Sequence, residues 1–228
     1  MKVGSITTDI IRNGLVFNID PANRASTIPS TSTLKTFNTI DLSQSGSIVT
    51  DATWEAGSPP TFDFDGSDGY IDFGNPTELQ FTDSFSISGW FKSSSSTSQR
   101  IVSKDDATNR SYFVQIATNG SVEASVYTSN TQQKNTSASG LADGNFHHFV
   151  FTFENGVGTK LYIDNGTPTT DSFANSIDND SADFEIGRRG FGDKYFNGNI
   201  GPTQIYNRAL SANEVLHNYN ALKGRFGL

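Results

Sequence analysis

The run Phe146-His147-His148-Phe149-Val150-Phe151-Thr152-Phe153 constrains the fold more than any other stretch of the chain. Successive side chains of a strand point to opposite faces, so Phe149, Phe151 and Phe153 share one face while His148 and Val150 share the other. A ladder of phenylalanines needs an apolar layer opposite it, which places this strand in mid-sheet. The same two-residue period recurs in short segments broken by Gly, Asn, Asp and Ser, the pattern of antiparallel sheets with one buried face. It predicts strands over 14–20, 61–65, 70–73, 85–92, 100–104, 111–117, 121–128, 146–153, 160–164, 184–187 and 198–206. Asn119-Gly120, Asn155-Gly156 and Asn165-Gly166 supply the left-handed conformations that tight hairpins need. One helix is legible: Ser211 and Glu214 form a capping box, Val215, Leu216, Tyr219 and Leu222 follow at helical spacing, and Gly224 is placed to stop it. Its apolar stripe is expected to pack on the sandwich. Segments 28–48 and 93–98, rich in Ser and Thr, are expected to be surface loops.

Composition narrows the function. A chain of 228 residues with 34% hydrophobic content and Phe at 18 can bury one large core. Residues 13–228 are therefore expected to form a single domain, preceded by residues 1–12 as an arm or an edge strand. With Cys at 0, disulfides, thiolate zinc sites and a cysteine nucleophile are excluded. A formal charge of -8 without a Lys/Arg cluster argues against nucleic acid as a partner. No apolar run approaches the roughly 20 residues that span a bilayer, and the first residues lack the apolar region of a signal peptide. Membrane insertion and ordinary secretion are not expected. His147 and His148, being adjacent on a strand, cannot serve one metal or one nucleophile; one packed and one outward histidine is expected. Asp63 and Asp65 share a strand face and are expected to be a solvated edge.

A set of motifs in fixed order carries a resemblance. Ile87-Ser88-Gly89-Trp90-Phe91-Lys92, Ile101-Val102-Ser103-Lys104, Asp143-Gly144-Asn145-Phe146-His147-His148 and Leu161-Tyr162-Ile163-Asp164-Asn165-Gly166 are followed by Phe196-Asn197-Gly198-Asn199-Ile200-Gly201 and Ile205-Tyr206-Asn207-Arg208-Ala209-Leu210-Ser211. Together they resemble the laminin-G-like and pentraxin-like modules of the concanavalin A-like lectin/glucanase superfamily. The stretches Asn13 to Asn23 and Phe62 to Asp72 resemble the version of this module found in structural proteins of tailed bacteriophages. The resemblance implies an all-β fold: a two-sheet antiparallel jelly-roll sandwich with its first and last strands paired and a short C-terminal helix. Trp90 and Phe85 are then core residues.

The family's hydrolases carry paired carboxylates in a Glu-x-Asp run, set about 5 Å apart for retention of configuration. No glutamate here has an aspartate two positions on, so no catalytic residue is expected. Family resemblance also places a calcium rim at Asp105, Asp106 and Asn109, with Asp193 in the second loop. That second loop, Arg188-Arg189-Gly190-Phe191-Gly192-Asp193, carries two cations, which favours a salt bridge from Arg188 or Arg189 to Asp105 or Asp106 over the ion. Asp178-Asn179-Asp180 lacks the glutamate of a calcium loop, because position 189 is arginine. Shallow glycan sites pair an aromatic platform with polar hydrogen-bonding groups. Loop aromatics Trp54, Tyr127, Phe191 and Tyr195, with Arg188, are the ligand-binding candidates; packing under a loop is the competing role for Trp54 and Phe191.

These readings predict a non-enzymatic structural or adhesive module of a bacteriophage virion, a capsid decoration or fibre protein that contacts surface glycans. The expected partners are other virion proteins such as capsid or fibre subunits, surface glycans and further copies of the chain. It would be located on the virion, assembled in the host cytoplasm and released by lysis, with no cofactor other than calcium to consider. A free carbohydrate-binding lectin is the alternative, and a glycoside hydrolase ranks third.

Overall fold

The computed structural model describes residues 9–23, 25–28, 35–55, 57–106, 108–172 and 174–228, with residues 27 and 28 described by backbone only. In chain order the strands are β1 (Leu15–Ile19), β2 (Thr27–Ile28), β3 (Lys35–Phe37), β4 (Ser45–Val49), β5 (Thr53–Glu55) and β6 (Thr61–Asp65). There follow β7 (Tyr70–Asp72), β8 (Ser84–Lys92), β9 (Gln99–Asp105), β10 (Arg110–Ile116), β11 (Val122–Thr128) and β12 (Thr131–Thr136). The last are β13 (Phe146–Glu154), β14 (Gly158–Ile163), β15 (Thr169–Asp171), β16 (Glu185–Ile186) and β17 (Asn197–Tyr206), before helix α1 (Ala212–Leu222). One sheet, here the front, runs β15-β14-β13-β8-β17-β6-β5, with β1 also paired to β17; the back sheet runs β12-β11-β10-β9-β16-β7-β4-β3-β2. All pairings are antiparallel, and the first and last strands meet as expected, Leu15 opposite Tyr206 and Ile19 opposite Thr203.

The Phe149-Phe151-Phe153 face of β13 points between the sheets, where it joins Phe17, Phe62, Phe85, Phe91, Val114 and Ile186 in one apolar cluster. Edge-to-face and tilted ring pairs, such as Phe85 with Phe151 at 6.0 Å, lock these rings against each other. Gly89 sits opposite Phe149 in the β8–β13 ladder. A β-carbon there would lie 2.7 Å from the Phe149 ring, so the missing side chain is what lets the ladder close.

Helix α1 makes a third layer on the front sheet's outer face. Its N-terminus carries the expected capping box, Ser211 and Glu214 bonding reciprocally. Beneath it Leu15, Val150, Tyr162, Tyr206, Leu210 and Val215 form a second, smaller apolar cluster. Trp90 is fully buried, but in this outer layer, stacked on Phe226 at 4.2 Å and Tyr219 at 5.7 Å. Residues 9–12 lie against the helix and not in a sheet: Asn218 accepts a hydrogen bond from Ile11 N at 2.8 Å, and Tyr206 OH donates to Ile11 O at 3.0 Å. Residues 1–8, the rest of the expected arm, lie outside the described residues. Among the described residues no helix is long and apolar enough to cross a membrane.

Several local expectations are corrected. Among the described residues of segment 28–48, those of β3 and most of β4 are strand and not loop, paired through Thr36 and Gly46 to extend the back sheet. In the β14–β15 turn the left-handed residues are Asp164 (φ 49°) and Asn165 (φ 59°), one position earlier than Asn165-Gly166. Gly224 does not stop the helix; Lys223 caps it, and a 3-10 turn over Lys223–Arg225 carries the chain on to Phe226, which is drawn down onto Trp90.

Candidate functional site

The segment between β16 and β17 crosses the outer face of the back sheet and carries the strongest candidate surface. It starts at Gly187, whose φ of +91° and 2.5 Å approach of a would-be β-carbon to the Phe64 ring admit no side chain. Backbone bonds tie it down on β9: Gly187 N to Ile101 O at 3.0 Å, Arg100 N to Lys194 O at 2.9 Å and Gly190 N to Asp105 O at 3.1 Å. At its tip Arg189 and Asp193 face each other in an isolated bridge, joined also side chain to side chain, with Arg189 Nε 2.7 Å from Asp193 Oδ1. This clamp pushes Phe191 outward. At 69% exposure its ring is the most open large apolar side chain among the described residues, with the Arg189 guanidinium 5.9 Å away.

Beside the tip, Arg188 lies flat over the Tyr70 ring at 3.3 Å and gives Nε and Nη2 to Glu185 Oε1 at 3.1 and 2.6 Å. Burial opposes its charge, but the bonds to Glu185 and Tyr195 more than offset this and raise its pKa. Tyr195 thereby joins Arg188 and Tyr70 in one patch, with its hydroxyl 3.7 Å from where a β-carbon on Gly192 would stand.

Beneath the loop lies a buried polar layer. Arg100, only 2% exposed, stacks on Phe113 at 3.4 Å, donates to Asp105 Oδ2 at 2.8 Å and bonds Gln115. Gln115 passes the chain on to Glu123 at 2.6 Å, which Lys134 reaches at 3.0 Å. Burial pushes Arg100 down to about 10, with Asp105 opposing, so it stays charged at neutral pH. This layer makes the loop's floor rigid, because each charge is held by a partner that would be costly to strand.

The structure carries Arg188, Phe191 and Tyr195 on one segment, with Arg188 and Tyr195 bonded to each other, and places the other candidates elsewhere. Tyr127 is no loop residue: it sits on β11 at 4% exposure, under Arg110, whose guanidinium is 5.4 Å from its ring. Trp54 lies on the front sheet's edge strand β5, packed against the core with its indole N–H donating to Pro21 O at 2.8 Å, which is the packing role. Nor do Arg188 and Arg189 turn to Asp105 or Asp106; they pair with Glu185 and Asp193 from their own segment.

The residues of the expected calcium rim do not fit an ion. Asp105 is committed to Arg100, and Asp193 to Arg189. The Asp106 carboxylate accepts from the backbone and side chains of Thr108 and Asn109, bonds that outweigh its partial burial and hold its pKa near about 2. Asn109 thus serves as a donor within a turn. Among the described residues, the acidic side chains that approach one another closely enough for a metal are Asp51, Asp65 and Asp68, far from this set in sequence.

Sequence reasoning missed Tyr70 as a member of this surface and Arg100 as its buried support, and had Arg189 only as a salt-bridge partner. Arg100 had a readable signal: it alternates with inward Ile101 at the start of β9. Tyr70 had none, since only the β7–β16 pairing brings it under Arg188.

Comparisons with known proteins place this geometry. No curated protein sequence matches the chain. Among solved structures, the binding domain of Paraclostridial Mosquitocidal Protein 1 is similar at 15% identity and a TM-score of 0.67, over 90% of this chain and 52% of that one. The binding domain of botulinum neurotoxin DC in complex with SialylT matches at 13% identity and a TM-score of 0.67, over 92% of this chain and 51% of its own. A botulinum neurotoxin type C structure, titled for cell entry dependent upon interaction with two ganglioside molecules, matches at 13% identity and a TM-score of 0.64, over the same shares. The chain spans about half the length of these structures, and at such identities they share its fold alone. The family model Laminin_G_3 matches residues 65–216, two thirds of the chain and the span from β6 into α1. The protein belongs to this family of the concanavalin A-like lectin/glucanases superfamily.

Proposed function

We propose that the protein is a non-enzymatic adhesive module of a tailed-bacteriophage virion, a capsid decoration or fibre component that contacts surface glycans through the 187–196 segment. The observation that carries the glycan reading is the exposed Phe191 ring beside fixed hydrogen-bonding groups, Arg188, Arg189 and Tyr195. An apolar ring face with polar groups at its edge is complementary to a sugar, which has both. That structures of the same fold were solved with SialylT, or titled for ganglioside interaction, supports the ligand class. The virion setting rests on the likeness of residues 13–23 and 62–72 to phage structural modules, and on an acidic, cysteine-free sandwich. Among the described residues of this surface, Glu185 and Asp193 are held in ion pairs with Arg188 and Arg189, which supports binding without cleavage.

The test is a comparison of purified phage particles with and without the gene. Particles lacking it are expected to lose surface density in electron micrographs and to adsorb more slowly to host cells. Unchanged composition, surface and adsorption would reject the virion role and leave the free lectin as the reading.

A further inference from the structure

The outer face of the front sheet carries a second surface, remote from the 187–196 segment. Cross-strand pairing sets Phe146 opposite Lys92, Lys92 opposite Asn199 and Asn199 opposite Asp63. These four side chains therefore form one row across β13, β8, β17 and β6, all pointing away from the core, because their chain neighbours Phe91, Ile200, Phe62 and Phe64 point into it. Helix α1 and the turn after it cover this face only as far as Phe226, whose ring stands 4.9 Å from Phe146. Beyond that cover the row is the floor of a groove of about 350 Å³, walled by Glu55, Ser58 and Pro59.

Sheet spacing explains an unusual charge arrangement. Lys92 and Asp63 are two strands apart, roughly 9 to 10 Å from backbone to backbone at the ordinary interstrand distance, with an amide between them, and the Lys92 charge is still felt at Asp63. Asn199 Nδ2 donates to Asp63 Oδ1 at 2.9 Å and to Thr61 Oγ1 at 3.3 Å, which holds that carboxylate in place and leaves Asn199 Oδ1 as an acceptor. Lys92 rests over the Phe146 ring at 5.6 Å. Partial burial raises the Asp63 pKa, and Glu55 and Asp65 add to the rise. The groove thus offers an ammonium as donor, carboxylates and an amide oxygen as acceptors and an aromatic end wall, opposite charges held open toward the same space.

We infer that this groove is a binding site for a neutral saccharide, whose hydroxyls donate to Asp63, Glu55 and Asn199 Oδ1 while accepting from Lys92. A singly charged ligand would meet a repelling group at one end of the row; a hydroxyl serves both. The row's three interstrand steps give a floor of about 14 Å, longer than one sugar ring, so an oligosaccharide fits along it better than a monosaccharide. The site is independent of the 187–196 surface, which lies on the other sheet.

Titration of the ¹⁵N-labelled protein with maltohexaose, cellohexaose, laminarihexaose and mannohexaose, followed by NMR, tests this. At least one is expected to shift the Asn199 side-chain amide and the backbone amides of Asp63, Lys92 and Phe146. Asp63→Asn and Lys92→Ala, each checked for an unchanged melting temperature, are expected to weaken that binding about tenfold, the size of one lost charge-assisted hydrogen bond. Absence of shifts with all four sugars, shifts confined to residues 187–196, or variant affinities within twofold of the wild type would overturn the assignment. Shifts confined to 187–196 would still support the first surface, so the two proposals fail separately.

Discussion

Adjacent residues His147 and His148 experience opposite environments, and the two-residue period of the strand is the cause. His148 lies under the helix, 4.8 Å from Trp90 and 5.6 Å from Tyr219, with Nε2 3.0 Å from Ser88 Oγ. Burial drives its pKa down to about 3, with Asp164 opposing. His147 sits at the sandwich's end, where the hydrogen bond to Asp164 at 2.7 Å raises its pKa despite burial. The signs follow. A neutral His148 stabilises the fold fully above its unfolded value of about 6.5, and that stability is lost as pH falls toward about 3. His147 contributes below about 6.5 and loses its contribution as pH rises through its raised folded value. Urea unfolding of the wild type is therefore expected to lose about 1.4 kcal/mol per pH unit between pH 6 and 4 relative to His148→Gln. Parallel pH profiles for the two proteins would contradict this placement. At this scale the sequence told that the two rings diverge, but not which would be buried, because the burying layer comes from residues 215–226. Likewise the acids and arginines near 105 and 189 were visible, while their pairing depended on the tight turn that lets Arg189 reach Asp193 before it can reach anything else.

Elements were legible in proportion to how much of their stability they hold themselves. Long strands with their own alternation, β8, β9, β10, β11, β13 and β17, fell within one residue of expectation at most ends. Strands without an alternation of their own did not. In β4, Ser45-Gly46-Ser47-Ile48-Val49 has no clear period, and Gly46 is there because Phe73 and Ile71 leave no room for a β-carbon. That reason lies on other strands. β12, Thr131 to Thr136, is polar throughout and reads as loop until β11 is beside it. Helix α1 was readable because its signal, the Ser211–Glu214 box, is local. Arg208 reinforces it, giving Glu214 two bonds at 2.9 and 2.7 Å that hold the glutamate's pKa near about 2. Ser211→Ala is expected to cost about 1 kcal/mol in denaturant unfolding. No change in the midpoint would mean that the Arg208 pair, and not the cap, anchors the helix.

At the scale of the whole molecule, the sandwich presents two differently finished faces. The helix and residues 223–226 cover part of the front sheet and leave a polar groove beside Phe226, while the back sheet is crossed by a clamped segment with an aromatic tip. The order of motifs along the chain announced the double-sheet architecture, and the β1–β17 pairing closes it as anticipated. What stayed hidden was which face each loop would cross, since crossing is decided by backbone bonds such as Arg100 to Lys194 between segments almost a hundred residues apart. The proposed function stands on glycan binding by the clamped segment. A glycan array probed with the wild type and with Phe191→Ala tests it most directly. Binding to a defined set of glycans that falls at least tenfold in the variant is predicted; an array that stays empty, or signals equal for both proteins, would contradict it.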